Sequence, residues 1–348
     1  MKKIGSSLAI ILLFIILLTG IRMGSVEPAH RKLSIYQTFS AQLDNGKPNI
    51  YLITKGYGNN YWNDLRQGAV DAALQRDCNI YLGGTPSEEH PELLAYLMTE
   101  AVKEGADAVI VSPTNVPVVV EAAKQVKQAG IPLILVDTIL NEHVFDVCYE
   151  TDNMQAGRLA AREMMLLLHK QGRSDTDQLS IGMGIGMMES QTTLERLAGF
   201  QEYWSANAPE AWTVLEDIKC NQGDADIAQS QSYDFMNTYP DLAGLVALNN
   251  GSAVGTALAV RNSGRTDIAL VGFDYSDEMK TMIHDKSYYA SAIVQRQYNM
   301  GYQSVEAAIK LIAGIEQPYK YVDMGVFQVN SNNVDSAYIQ KIVGQGND

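Results

Sequence analysis

Apolar and polar positions follow two rhythms along most of this chain. From Asn49 onward, short continuous apolar runs alternate with stretches in which apolar residues recur every three or four positions. The first pattern is that of strands buried on both faces, the second that of amphipathic helices. It predicts helices over 61–76, 91–104, 116–129, 153–171, 191–206, 225–238, 252–263, 276–285 and 297–314. Strands are predicted near 49–54, 79–83, 108–112, 132–137, 147–150, 180–185, 213–218, 245–249, 268–273 and 291–296. Such alternation implies an α/β protein with parallel sheets covered by helices on both faces and right-handed crossovers. Ligands of such sheets sit outside the carboxyl ends of the strands, so the loops after 54, 112, 137, 185, 218, 249, 273 and 295 are where chemistry is expected.

One βαβ unit occurs twice within this rhythm. The copies run from Ala108 to Asp137 and from Leu245 to Asp274, and each ends an apolar strand on an aspartate 29 positions after its start. Two similar lobes, each with a carboxylate at a strand end, imply a cleft that holds a polar small molecule. The length of 348 residues suits two lobes better than one core. The formal charge of −14, from 26 basic and 40 acidic residues, opposes nucleic-acid binding, which needs clustered Lys and Arg. Cys78, Cys148 and Cys220 have no metal or redox spacing and read as unpaired small hydrophobes in the core.

The amino terminus is a separate matter. Lys2 and Lys3 precede an uncharged stretch over residues 4–21. A basic start and an apolar run describe either a cleaved export signal or an uncleaved membrane anchor. No cysteine follows for lipidation, and no good small-x-small cleavage site is present. The positive-inside rule puts the start in the cytoplasm and the body outside in either case. Residues 24–47 read as a linker, with a short helix near 33–43.

The strand-end loops hold the residues a sugar site uses. Gly58-Asn59-Asn60-Tyr61-Trp62 brings amides for hydroxyls and aromatic faces for a sugar ring, although asparagine there is also a good N-cap. Arg196 follows the loop after 185 and is either a surface ion pair or a fork of donors directed into the cleft. Asn249, Asp274 and Gln295 each close an apolar strand and read singly as caps or turn residues, but together as a binding constellation.

Other chemistry finds little support. Gly182-Met-Gly184-Ile-Gly186 lacks the third glycine of a dinucleotide loop. The histidines are scattered, and the Glu88-Glu89-His90 group reads as acids favouring a helix start. Asn250-Gly251-Ser252 matches a glycosylation acceptor, but inside the expected cleft. No nucleophile elbow, phosphate loop or metal cluster appears, so no cofactor and no enzymatic reaction are expected.

NNYWNDLRQGA, GADAVIVSP, IPLILVDT, TDNMQAGRLAA, RLAGF, LVALNN, LVGFD and VQRQYNMG occur in that order over residues 49–342. As an ordered set they resemble the type I periplasmic sugar-binding proteins, closest in pattern to ribose-binding proteins. The resemblance implies two doubly wound parallel-sheet lobes joined by a three-stranded hinge near Glu150 to Asp152, Gln295 to Gln297 and Val322 to Gly325. It divides the chain into a signal or anchor (1–23), a linker (24–47), an N-terminal lobe (48–151 plus 297–324) and a C-terminal lobe (152–296 plus 325–348). It also implies ligand contacts by Asn59, Tyr61, Trp62 and Asp137 in one lobe and Arg196, Asn249 and Asp274 in the other, with Gln295 at a crossover. Three positions depart from the pattern. Tyr61-Trp62 stands where Phe-Phe is usual, Thr138 where an arginine commonly follows the aspartate, and Gln222-Gly223-Asp224 where an aromatic is often found. The expected ligand is a monosaccharide, and the expected partner is an ABC permease or a membrane sensor histidine kinase. A lactose-repressor-type sensor shares the fold, but its DNA-binding helices would have to occupy the place of the hydrophobic segment.

Overall fold

Runs such as Ala108–Val111 and Leu133–Val136 contain no polar residue and are buried at every position. Only a parallel sheet covered on both faces accommodates that. The computed structural model describes residues 43–343 and contains two such sheets. In the first lobe, β1 (Asn49–Thr54), β2 (Asn79–Gly84), β3 (Ala108–Val111), β4 (Leu133–Val136) and β5 (Val147–Glu150) alternate with α1 (Asn60–Arg76), α2 (Pro91–Lys103) and α3 (Pro117–Gln128). In the second lobe, β6 (Leu179–Ile185), β7 (Trp212–Cys220), β8 (Leu242–Ala247), β9 (Ala269–Phe273) and β10 (Tyr289–Gln295) alternate with α5 (Gln191–Asn207), α6 (Ala225–Thr238), α7 (Asn250–Asn262) and α8 (Asp277–His284). The helix α4 (Asn153–Lys170) enters the second lobe, and α9 (Gln297–Ile312) returns to the first. Last come β11 (Tyr321–Asp323), β12 (Val326–Asn330) and α10 (Ala337–Val343).

The strand orders are β11-β5-β4-β3-β1-β2 and β12-β10-β9-β8-β6-β7. Every pairing is parallel except that of β12 with β10. The orders match place for place, so the repeated unit is β3-α3-β4 in one sheet and β8-α7-β9 in the other. The chain passes between sheets three times, between Glu150 and Asn153, Gln295 and Gln297, and Asp323 and Val326. The Asp323 carboxylate ties two of these passages together by accepting the N–H groups of Asp152 (3.0 Å) and Gly325 (2.8 Å).

The site-bearing helices α1 and α5 are each locked to a crossover helix by paired glycines. A methyl on Gly199 of α5 would stand 2.0 Å from the Met154 carbonyl oxygen of α4, and one on Gly157 of α4 the same distance from that of Arg196. In the first lobe Gly68 of α1 and Gly301 of α9 meet Tyr298 and Leu65 in the same way, at 2.0 and 1.8 Å. The backbones therefore touch, and the ends of α1 and α5 that face the cleft are fixed relative to the crossovers.

Several expectations shift. The strand expected at 245–249 starts at Leu242 and ends at Ala247, leaving Leu248 and Asn249 in the loop. β12 and α10 were not legible: β12 is a half-buried antiparallel edge strand and α10 has only seven residues. All three cysteines are free, but Cys220 is exposed at the end of the edge strand β7, and only Cys148 is fully buried. The apolar stretch 4–21 and the helix expected near 33–43 lie outside the described residues. Among the described residues no helix is long and apolar enough to cross a membrane.

Candidate ligand-binding site

All eight residues expected at the site line one cavity of about 270 Å³ between the lobes, at the facing carboxyl ends of the two sheets. Asp137 ends β4 and Asp274 ends β9, and both are in the left-handed region, with φ of 70° and 66°. Aspartate tolerates that conformation better than most residues, and its backbone cost of roughly 1 kcal/mol is typical of functional positions. The geometry repeats between the lobes: the Asp137 N–H donates to the Tyr149 carbonyl and the Asp274 N–H to that of Ile293, each at 2.9 Å. The two carboxylates are thus presented by the same backbone device from opposite walls.

Their electrostatics differ. Asp137 is buried, which alone would raise its pKa, yet the Lys55 ammonium and the hydroxyls of Tyr61 and Thr138 hold it below the usual carboxylate value. Lys55 Nζ lies 3.1 Å from Asp137 Oδ2, and it also donates to Thr138 Oγ1 at 2.8 Å. Its own pKa is raised: burial pulls it down, but Asp137 and Glu88 outweigh that. Asp274 has no cation so close. Burial raises it to about 6, with Arg196 and a 3.1 Å hydrogen bond from Gln295 Nε2 pulling the other way.

Arg196 is a buried cleft residue rather than a surface ion pair. Its Nε donates to Asn153 Oδ1 (2.8 Å), Nη1 to the Leu248 carbonyl (2.9 Å) and Nη2 to Gln295 Oε1 (2.9 Å). The guanidinium lies over the Phe273 ring, 4.3 Å from its centroid. Three of its five N–H groups are used, which leaves two for a ligand. Gln295 joins Arg196 to Asp274 and sits at the end of β10, one residue before the chain leaves the second lobe.

The capping and binding readings of the asparagines hold together. Asn59 Oδ1 accepts the Trp62 N–H and caps α1, and Asn249 Oδ1 accepts the Ser252 N–H and caps α7. Both residues also line the cavity. A methyl on Gly186 would come within 2.7 Å of the Asn249 amide nitrogen. The glycine pattern after β6 therefore makes room for that amide. Tyr61 and Trp62 lie edge to face, 4.8 Å between centroids, and belong to the core beneath α1 as well as to the cavity wall. They are buried although they open a helix, because the crossover helix α9 covers this one.

Lys55, Glu88 and Asn153 escaped the sequence reading. Lys55 is the first residue after the apolar run of β1, and a charge at that point was a usable signal. Glu88, expected to serve a helix start, instead reaches Lys55 Nζ at 3.5 Å. The position after Asp137 lacks its arginine, but Lys55 places a cation beside Asp137 from a different strand. Among the described residues no group of His, Cys, Asp or Glu is arranged to hold a metal ion.

Two matching lobes with a polar, aromatic-walled cavity between their strand ends define a two-lobed solute receptor. A family model described as a periplasmic binding protein domain matches residues 50–316, and the chain belongs to that family. Its members are solute-binding proteins of the extracytoplasmic space, not enzymes. The D-ribose/D-allose-binding protein of Pseudomonas aeruginosa is 24% identical over 285 residues, which cover 77% of this chain and 83% of that one. A carbohydrate transporter solute binding protein from Agrobacterium radiobacter, in complex with D-arabinose, superposes with a TM-score of 0.79 at 22% identity, covering 86% of this chain and 100% of that one. An ABC transporter solute binding protein from Agrobacterium vitis, bound with alpha-D-tagatopyranose, gives 0.76 at 25% identity over 85% and 99% of the two chains.

Proposed function

We propose that the cavity binds a monosaccharide unit and that the two lobes close on it about the three crossovers, presenting it to an ABC importer. The observation that carries this reading is the pair of buried, left-handed aspartates on opposite walls. Each accepts hydroxyl hydrogen bonds, and only a closed cleft lets one ring reach both, so the ligand itself favours closure. Asn59 and Asn249 offer amides, Arg196 offers two donors, and Trp62 offers an aromatic face for the ring's C–H surface. The named ligands of the relatives, D-ribose, D-allose, D-arabinose and tagatose, are all of this class. Calorimetric titration against pentoses and hexoses tests it. A sugar binds wild type, while Asp137→Ala and Asp274→Ala fold but lose binding; wild-type affinity in both variants refutes the site.

The uncharged stretch over residues 4–21, with no cysteine for lipidation, favours a second reading of the partner. In it the body is a tethered sugar receptor that signals to a sensor histidine kinase. Isolation from membranes separates the two: a permease without a kinase in the co-purified material sinks the sensor reading.

A further inference from the structure

The space between the lobes does not end at Lys55. Beyond that side chain lies a second hollow of about 100 Å³, which shares Lys55, Glu88, Met187 and Ser190 with the main cavity. The two hollows are therefore neighbours, and both lobes contribute the residues they share. Lys55 is held in place between them. Its ammonium has three N–H groups and three acceptors around it, Thr138 Oγ1 at 2.8 Å, Asp137 Oδ2 at 3.1 Å and Glu88 Oε1 at 3.5 Å. Lys55 thus borders both hollows with its donors engaged and is not a free donor to the ligand.

The lining beyond Lys55 is mixed. Pro113 and Val116 give it apolar surface, and Glu189 approaches from the second lobe. Thr114, Asn115 and Thr138 also line it, so polar side chains stand among the apolar ones. The volume holds several water-sized groups. A mixed lining of this kind suits C–H and O–H together and not an alkyl chain. Glu88 and Glu189 set like charges against a phosphate or a uronate.

We infer that the site takes a glycosidically extended sugar, a disaccharide or a polar glycoside, with one ring in the main cavity and the second unit in the hollow beyond Lys55 and Glu88. This rests on the sugar-binding reading proposed above. Titrating the full chain with xylose, glucose and galactose, and with xylobiose, cellobiose, maltose and lactose, tests both. At least one disaccharide is expected to bind as tightly as its parent monosaccharide or more tightly. Thr114→Trp, which fills only the second hollow, is expected to weaken that disaccharide by about tenfold or more, the loss of one modest set of contacts. Its monosaccharide affinity stays within about twofold, which also reports that the variant folds. Monosaccharide binding with every disaccharide much weaker overturns the extended ligand and leaves the sugar reading intact. Equal loss of both ligands in Thr114→Trp overturns the separate compartment. No binding by any of these sugars, nor by the other pentoses and hexoses titrated above, overturns both readings.

Discussion

Replacing Lys55 by methionine tests the electrostatics of the site most sharply. The ammonium is buried, 3.1 Å from Asp137, and among the described residues no other cation comes as close to that carboxylate. Methionine keeps the stem's volume but leaves Asp137 with hydroxyl partners only, Tyr61, Thr138 and Ser112. Removing one partner of a buried pair costs about 3–5 kcal/mol. That cost is not constant with pH, because Asp137 can escape it by binding a proton. In wild type the Asp137 pKa is depressed, so its contribution is present above the unfolded value near 4 and is lost only in acid. The raised pKa of Lys55 contributes below about 10 and is lost in alkali, so across pH 5 to 8 the pair gives a flat profile. In Lys55→Met the Asp137 pKa moves above its unfolded value, and stability then falls as pH rises. Thermal unfolding at pH 5 and pH 8 reads this directly. The variant is expected to melt lower at pH 8 by on the order of 10 °C, at about 2–4 °C per kcal/mol, and by clearly less at pH 5. An equal loss at both pH values, or no loss, refutes the assignment of Lys55 as the counter-charge of Asp137.

Asp274, raised to about 6, accepts sugar hydroxyls best when ionised, so affinity strengthens as pH rises from 5 to 7, by roughly tenfold for a single group. Titrations at several pH values check it, and Asp274→Asn removes the slope. Glu150, at the first crossover, is raised to about 8 by burial and by the charges of Glu195 and Asp137. Its ionisation costs folding free energy as pH rises between about 4.5 and 8, and Glu150→Gln therefore melts higher than wild type at pH 8 but not at pH 4. Gly199→Ala forces α5 off α4 at the Met154 carbonyl and lowers stability by about 1–3 kcal/mol. Denaturant unfolding measures that loss, and calorimetry shows a weakened site because Arg196 lies on the same helix.

The fold was legible because a sheet covered on both faces needs continuous apolar strands, and Ala108–Val111 and Leu133–Val136 supply them with sharp polar edges. Boundaries blurred where that contrast weakens. β8 opens with Leu-Ala-Gly, and Gly244 dilutes the signal, so its start was placed three residues late. β12 is an edge strand with one face half open, which leaves little apolar pattern to find. Within the site, residues at strand ends were found because the topology points there. Asn153 was not, because it acts through Arg196 across 43 positions of sequence. Lys55 was missed for a related reason: a lysine after a strand is ordinarily solvated, and its burial depends on Asp137 and Thr138 from one loop and Glu88 from another converging on it.

A crystal structure of the protein with the tightest-binding sugar tests the central claim most directly. The account predicts one ring between the lobes, its hydroxyls on both Asp137 and Asp274, with Arg196 and Trp62 in contact with it. A sugar held by one lobe alone, or bound outside this cavity, would contradict the account.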